Sequence, residues 1–371
     1  MNKLLVAKIV ASTALLTGIL LFSSVISCNV SSGQLMLLAG DYTTPRLDYW
    51  KMTGANILNL YFTREVTFPS LSVLELSSDC VDAKETDIEA ELLPQTSSSS
   101  SDSETVCLQL QFSDDTVVGT DYLLVGTAKD EHDNTLDFTL AFSGYNSTVP
   151  AMVLSEVRID YSKSTSYTRV EYVEFVVLSD GNTAGMEFIS AYDGEDEKYT
   201  FPYIEVTAGE YIVLHMRTLS EDSITETGDD LLVSNAKDSS SARDLWVDNT
   251  DARLGADDVL LLKERENGKI LDAVVYSRSG KEDWSKDEMS IAAKEAYSEG
   301  IWIDGYMPEN ATCSDNITLT RTLSRQNIDD CIEKKAAGDV QPYSVLASDW
   351  IVVDSSCCTP GEVNSTNEYT K

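Results

Sequence analysis

Between residues 57 and 142, apolar and polar residues alternate in short runs separated by polar turns. ILNLYF (57–62), SVLEL (72–76), VCLQLQF (106–112), YLLVGTA (122–128) and LDFTLAF (136–142) each keep a period of two. In an extended chain that period places the apolar members on one face, as with Val106, Leu108, Leu110 and Phe112. Short strands at this spacing predict a small sandwich over residues 41–147. After Pro150 the text changes. VLSEVRIDY (153–161), TRVEYVEFVVLSDG (168–181), GEYIVLHM (209–216) and LGADDVLLLKERENGKILDAVVYS (254–277) are denser in apolar residues and carry acids within apolar runs. The last is a predicted hairpin, because Asn267-Gly268 accepts the positive φ of a tight turn. Residues 278–317 form an insertion, in which SKDEMSIAAKEAYSEG (285–300) reads as one helix. Ser285 and Glu288 stand at capping-box spacing, and Gly300 is placed to end it. The predicted class is all-β, with two β-sandwich domains and a short helical insertion in the second, over residues 150–365.

Within TRVEYVEFVVLSDG, Glu171 and Glu174 invite a catalytic reading. They are three residues apart, so on an ideal strand they point to opposite faces and do not share a site. Glu174 is expected to be a partly buried carboxylate whose accepted hydrogen bonds fix the fold.

The order of motifs after residue 150 resembles the lamin-tail domain, an Ig-like sandwich of exported bacterial proteins and nuclear lamins. The resemblance rests on Glu156-Val157, Tyr172-Val173-Glu174-Phe175, Ala208-Gly209-Glu210-Tyr211-Ile212-Val213, Asp258-Val259, Gly268, Asp272, Val274 and Tyr276. It continues through Ser324-Arg325, Asp349-Trp350, Thr359-Pro360-Gly361 and Asn364. The Asn that usually follows the Tyr-Val-Glu strand is replaced here by VVLSDGN. Residues 41–147 are similar to bacterial Ig-like modules of envelope proteins, through FTREV (62–66), Gly-Thr-Asp-Tyr (119–122) and the turn DEHDN (130–134). Asp133 stands where that turn has Gly, and Asp tolerates the left-handed conformation.

The first 27 residues carry Lys3 and Lys8, no acid, and an apolar stretch, which describes an export signal. Val25-Ile26-Ser27-Cys28 resembles the lipobox of bacterial lipoproteins. That resemblance makes Cys28 the lipid-modified first residue of a mature chain tethered by residues 28–40. It implies a lipid-anchored location in the bacterial cell envelope, at the outer membrane or cell surface. An oxidising compartment permits disulfides. The candidates are Cys80, Cys107, Cys313, Cys331, Cys357 and Cys358, with Cys80 and Cys107 flanking the polar excursion QTSSSSSDS. Connectivity stays open. Zinc is the rival use, without CxxC spacing to support it. Residues 366–371 are a short tail.

Charge narrows the partners. Asp and Glu total 62 against 27 Lys and Arg, a formal charge of −35. Nucleic-acid phosphate is disfavoured, since that affinity comes from Lys and Arg releasing counterions. The charge serves either solubility or cation binding. Calcium is the one cofactor to weigh, because hard cations take carboxylate oxygens from loops. Its candidates are Asp130 and Asp133, then Asp248, Asp251 and Asp257, with a further acidic run at Asp193 and 195–197. None has EF-hand spacing, and each equally suits a solvated turn. His132 and His215 are the only histidines. No P-loop, Gly-x-Ser-x-Gly, His-Glu-x-x-His or dinucleotide fingerprint occurs. Trp284, Trp302 and Tyr306 cluster around the insertion helix, either covering one sandwich end or forming an exposed binding surface. The expected role is non-enzymatic: binding, adhesion or surface presentation, with a protein or glycan as partner. A structural assembly subunit is one alternative, and an acid-pair glycan hydrolase is another.

Overall fold

In the computed structural model, the described residues are 43–77, 82–94, 105–163, 168–194, 198–234, 236, 239–251 and 254–371. The chain divides into two units between Tyr145 and Asn146. The first is built from β1 (Leu47–Gly54), β2 (Ile57–Phe62), β3 (Thr67–Leu76), β4 (Ala83–Glu85), β5 (Ala90–Leu92), β6 (Val106–Phe112), β7 (Asp121–Lys129) and β8 (Thr135–Ser143). They form two four-stranded sheets, ordered β1-β2-β6-β5 and β4-β3-β7-β8, with every pairing antiparallel.

Alternation translates directly into burial here. Along β6, Leu108, Leu110 and Phe112 are buried, while Gln109 and Gln111 between them are exposed. Both sheets contribute to one apolar cluster. At its centre the Phe142 ring meets Trp50, Phe112 and Tyr122, at centroid separations of 6.3, 5.6 and 5.5 Å. Offset and edge contacts of this kind add to the burial they accompany. The DEHDN turn takes the left-handed residue expected of it, with Asp133 at φ 64°.

Among the described residues, the second unit has fifteen further strands. They are β9 (Met152–Arg158), β10 (Ser162–Lys163), β11 (Thr168–Arg169), β12 (Tyr172–Val177), β13 (Gly181–Asn182), β14 (Glu187–Ser190), β15 (Tyr199–Thr200), β16 (Glu205–Val206) and β17 (Tyr211–His215). After these come β18 (Arg243–Trp246), β19 (Asp258–Lys263), β20 (Ile270–Ser277), β21 (Thr312–Cys313), β22 (Leu323–Arg325) and β23 (Trp350–Val352). A six-stranded sheet runs β18-β17-β12-β9-β22-β23, and a five-stranded sheet runs β15-β14-β19-β20-β21. The β17–β18 and β20–β21 pairs are parallel. β19 and β20 form the hairpin expected around Asn267, whose φ is 55°.

Here burial does not alternate. Every residue of β9, β12, β19 and β20 is buried. Phe175 packs edge-on against Phe188 and Phe201 inside the sandwich. The reverse face of β9 and β12 is covered as well, with Val153 and Val176 packing against Cys331 and Tyr343.

Two α-helices are present among the described residues: α1 (Asp287–Ser298) and α2 (Ile328–Ala336). α1 lies in the insertion and turns Met289, Ala292, Ala293 and Ala296 inward. Its start departs from the capping-box expectation. Lys286 is the N-cap residue with no side-chain cap, and the Ser285 hydroxyl faces the Met289 sulfur instead. Its end follows expectation. Gly300 at φ 72° lets its own N–H reach the Tyr297 carbonyl, and the Ile301 N–H reach that of Ala296. This pair of bonds is a Schellman motif. α2 covers the reverse face of the sheet and was not expected from the pattern. Asp329 and Asp330 in its first turn and Lys334 and Lys335 in its last both suit the helix dipole.

Candidate functional site

The first group of chemical interest is the set of acids inside the six-stranded sheet. β9 pairs with β12 so that Glu156 faces Glu174 and Leu154 faces Phe175, leaving Ser155 as an extra residue. This bulge places two carboxylates side by side across the strands. Both are fully buried. Glu156 accepts from the Thr359 N–H and hydroxyl, each at 3.0 Å, from Ser324, and in a short contact from the Tyr172 hydroxyl. Glu174 Oε2 accepts from the Gly361 N–H at 2.5 Å. Burial, followed by the Glu156 charge, pushes Glu174 well above the usual carboxylate range. Glu174 is therefore wholly rather than partly buried, and it holds the sheet to the Thr359–Gly361 turn. Gly361 has φ 79°, and a Cβ there would come within 2.2 Å of the Ser239 hydroxyl. Asn364 secures the same turn by donating to the carbonyls of Ser155 and Arg325.

Asp272 and Arg325 form a second buried pair, Nη1 to Oδ2 at 2.7 Å, with no exposure on either side. Asp272 also accepts from the Leu154 N–H, and Arg325 donates to Asn327 and lies 5.8 Å from the Trp350 ring. Of the residues on which the lamin-tail resemblance rests, Glu156, Glu174, Asn364 and Gly361 thus meet at one turn. Asp272, Arg325 and Trp350 meet at another point, and Pro360 lies within the turn itself. Glu171 is separate, in a two-point ion pair with Arg217 at 2.9 and 2.6 Å.

The second group is a cavity of about 480 Å³ between α1 and the five-stranded sheet. Ile189, Ala191, Leu261, Ile291 and Ala292 supply apolar lining, and Asp193, Glu288 and Glu295 supply carboxylates. Positions 288, 291, 292 and 295 fall on one helix face at i, i+3, i+4 and i+7. The volume lies within the range of small-molecule sites, about 300–1,000 Å³. This cavity was not identified from sequence. The signal available was an exposed Ile291 between two acids on a helix whose opposite face is alanine.

Of the two readings of the aromatics, an exposed platform of all three does not hold. Trp302 is fully buried, with its indole N–H on the Asn310 carbonyl, because the turn after Gly300 carries it back into the core. Trp284 is half-buried and donates to the Tyr306 carbonyl, and Tyr306 packs against Tyr297. The three do not form one exposed platform.

Three of the calcium candidates, Asp130, Asp133 and Asp257, are engaged by neighbouring donors and cations. Asp130 accepts from the N–H groups of His132 and Asn134, from the Asn134 side chain and from Arg64. Burial works against its charge, yet these donors outweigh it and hold Asp130 below the usual carboxylate range. Asp133 pairs with Lys129 at 2.7 Å. Asp257 accepts the Arg278 N–H and pairs with Lys281, while Asp248 and Asp251 are exposed. No group of three potential ligands comes together among the described residues.

The cysteine expectation is corrected where the structure describes it. Cys313, Cys331 and Cys357 are free thiols. Cys331 is buried on α2, with its sulfur 3.5 Å from Arg325 Nη2, and Cys357 faces Asn367. Cys107 lies exposed on β6, next to Tyr61. Cys80, Cys28 and residues 195–197 lie outside the described residues.

The family described as TP_1001_2nd, protein second domain, matches residues 150–352, more than half of the chain. This chain belongs to that family. The matched region holds Glu156, Glu174, Asp272, Arg325 and the whole cavity beneath α1. An uncharacterized protein of Treponema pallidum (strain Nichols) is 30% identical over 195 residues, covering 50% of this chain and 48% of that protein. The chain thus spans about half the length of the curated relative it matches. A DUF4876 family protein from Bacteroides thetaiotaomicron, known from a crystal structure, is 12% identical. Its likeness covers 82% of this chain and 95% of that one, at a TM-score of 0.33.

Proposed function

We propose that this protein is a non-enzymatic binding module of the bacterial cell envelope, anchored by lipid at Cys28 and presenting a lamin-tail-like second unit. The observation that carries the binding role is the cavity beneath α1, a concave apolar surface rimmed by carboxylates on a rigid sheet. The buried acids of the second unit's two large sheets support the same reading. Glu156, Glu174 and Asp272 are occupied in joining strands to the Thr359–Asn364 segment and to Arg325. Placing a ligand site on an inserted helix, over a scaffold that its own acids hold together, separates recognition from stability.

The test follows methyl resonances of Ile189, Ala191, Leu261, Ile291 and Ala292 as fractions of envelope small molecules are added. Shifts concentrated on those methyls, with the compound recovered unchanged, are expected. Chemical conversion of the compound, or shifts concentrated elsewhere, would defeat the binding reading. The anchor is checked separately by metabolic lipid labelling of the wild type and Cys28→Ala. An unlabelled wild type would remove the anchor from the proposal.

A further inference from the structure

We infer that the cavity beneath α1 takes a linear aliphatic polyammonium compound, with methylenes on the apolar strip and ammonium groups at its acidic ends. The inference rests on the binding reading above and gives it a ligand class. On α1, Ile291 and Ala292 lie between Glu288 and Glu295, which are seven residues apart. Two helical turns separate those two acids by roughly 10 Å along the axis at 1.5 Å per residue. An extended alkyl chain with charges at both ends has that pattern, whereas a compact metal cation does not.

Charge supports the sign. The lining holds Asp193, Glu288 and Glu295 and no basic side chain. Glu295 is shared with Lys263 at 2.8 Å, while Glu288 is exposed and has no ion pair among the described residues. Lys286, next to the start of α1, is occupied by Tyr192. Its ammonium lies 4.1 Å from the ring centroid and donates to the Tyr192 carbonyl. The floor suits methylenes, because Ile189, Ala191, Leu261 and Ala292 form a well-packed apolar surface and Ile291 stands over it, 63% exposed. An anion would meet three carboxylates here, and a sugar would find few neutral hydrogen-bonding groups along the strip.

Titration calorimetry of the full chain with spermidine at low ionic strength tests the inference, with 1-aminopentane and 1,5-pentanediol as comparison probes. Spermidine is expected to saturate a single site at least fivefold more tightly than the monoamine, and the diol to give no saturable heat. Glu288→Gln should weaken spermidine at least fivefold and Ile291→Ser about threefold. Both residues are exposed, and thermal melts confirm that each variant is folded. Glu333→Gln on α2, outside the cavity, should stay within twofold of wild type. Equal weakening by Glu288→Gln and Glu333→Gln would mean diffuse attraction to a highly acidic protein and would overturn the site. Absence of saturation would overturn it too. A lysine-rich peptide that binds and is lost in Glu288→Gln, while spermidine fails, would overturn the small-molecule assignment but leave the binding module standing.

Discussion

The two units solve the same packing problem in different ways. In the first, long strands such as β6 have a dry face and a wet face, the cluster between the sheets around Phe142 is apolar, and the buried carboxylate Asp130 sits in a turn rather than in a strand. In the second, β9, β12, β19 and β20 are wet on neither face, and charged side chains remain inside. A one-faced sheet needs only hydrophobic contact, which is non-directional. A sheet covered on both sides must bury polar groups, and each then needs a specific partner. Chemical specificity of the fold is therefore concentrated in the second unit.

The largest expected effect tests that concentration. Arg325→Met leaves Asp272 buried without its partner and should cost the second unit about 3–5 kcal/mol. Adding Asp272→Leu to that variant should restore most of the loss, since a packed apolar pair often matches a buried ion pair. Leu110→Ala in the first unit should cost about 2–5 kcal/mol by transfer and cavity alone, with no second change able to rescue it through charge. Urea unfolding followed by fluorescence reads both, because Trp50 reports on the first unit and the other four tryptophans on the second. If Arg325→Met shifted the Trp50 transition and spared the others, the comparison would break.

A smaller effect is expected of Gly361→Ala, about 1–3 kcal/mol, from a strained left-handed backbone and the Ser239 hydroxyl in the path of the new methyl. Its signature would be faster amide exchange at the Thr359–Gly361 turn relative to the first unit. Unchanged exchange would show that the turn is not the clamp on Glu156 and Glu174.

The smallest effect concerns acid. Burial raises Asp258 to about 7, despite donors from Ser190, Tyr192, Gly255 and Val259, and Glu174 and Asp272 are raised as well. A carboxyl raised on folding holds a proton that the unfolded chain releases near pH 4. Its stabilising contribution is present below that point and is lost as pH rises through the folded value. Asp130 in the first unit is lowered, so its contribution runs the other way and is lost on acidification. Melting temperatures at stepped pH should therefore show Asp258→Asn flattening the slope of the second unit between about pH 4 and 7. An unaltered slope would remove Asp258 from the account.

Much of the first unit was legible because alternation is a local code. The runs at 57–62 and 106–112 match β2 and β6 residue for residue. In the second unit the hairpin was legible through Asn267-Gly268, and Glu174 through its place in an apolar strand. The bulge at Ser155 was not, because register depends on the partner strand, and with it the pairing of Glu156 with Glu174 stayed hidden. α2 was missed since nine residues give too few turns for a periodic signal. Trp302 stayed open between a covering and an exposed role because composition assigns no face, whereas the Schellman turn at Gly300 does. The cavity depended on α1 meeting β19, a contact that no single segment encodes.

The turn that seals the paired glutamates also sets an order of events. Thr359 and Gly361 lie 203 and 187 residues after the acids they cover. Chain emerging N-terminus first thus holds Glu156 and Glu174 in adjacent strands with their principal amide donors still to come. Until residue 361 arrives, water must solvate that pair, and the sheet around it stays open. Long-range closure of this kind is slow, because its loop entropy is lost before the contacts form. The second unit is thus a structure completed late, whereas the first has all its strands, from β1 to β8, before residue 144.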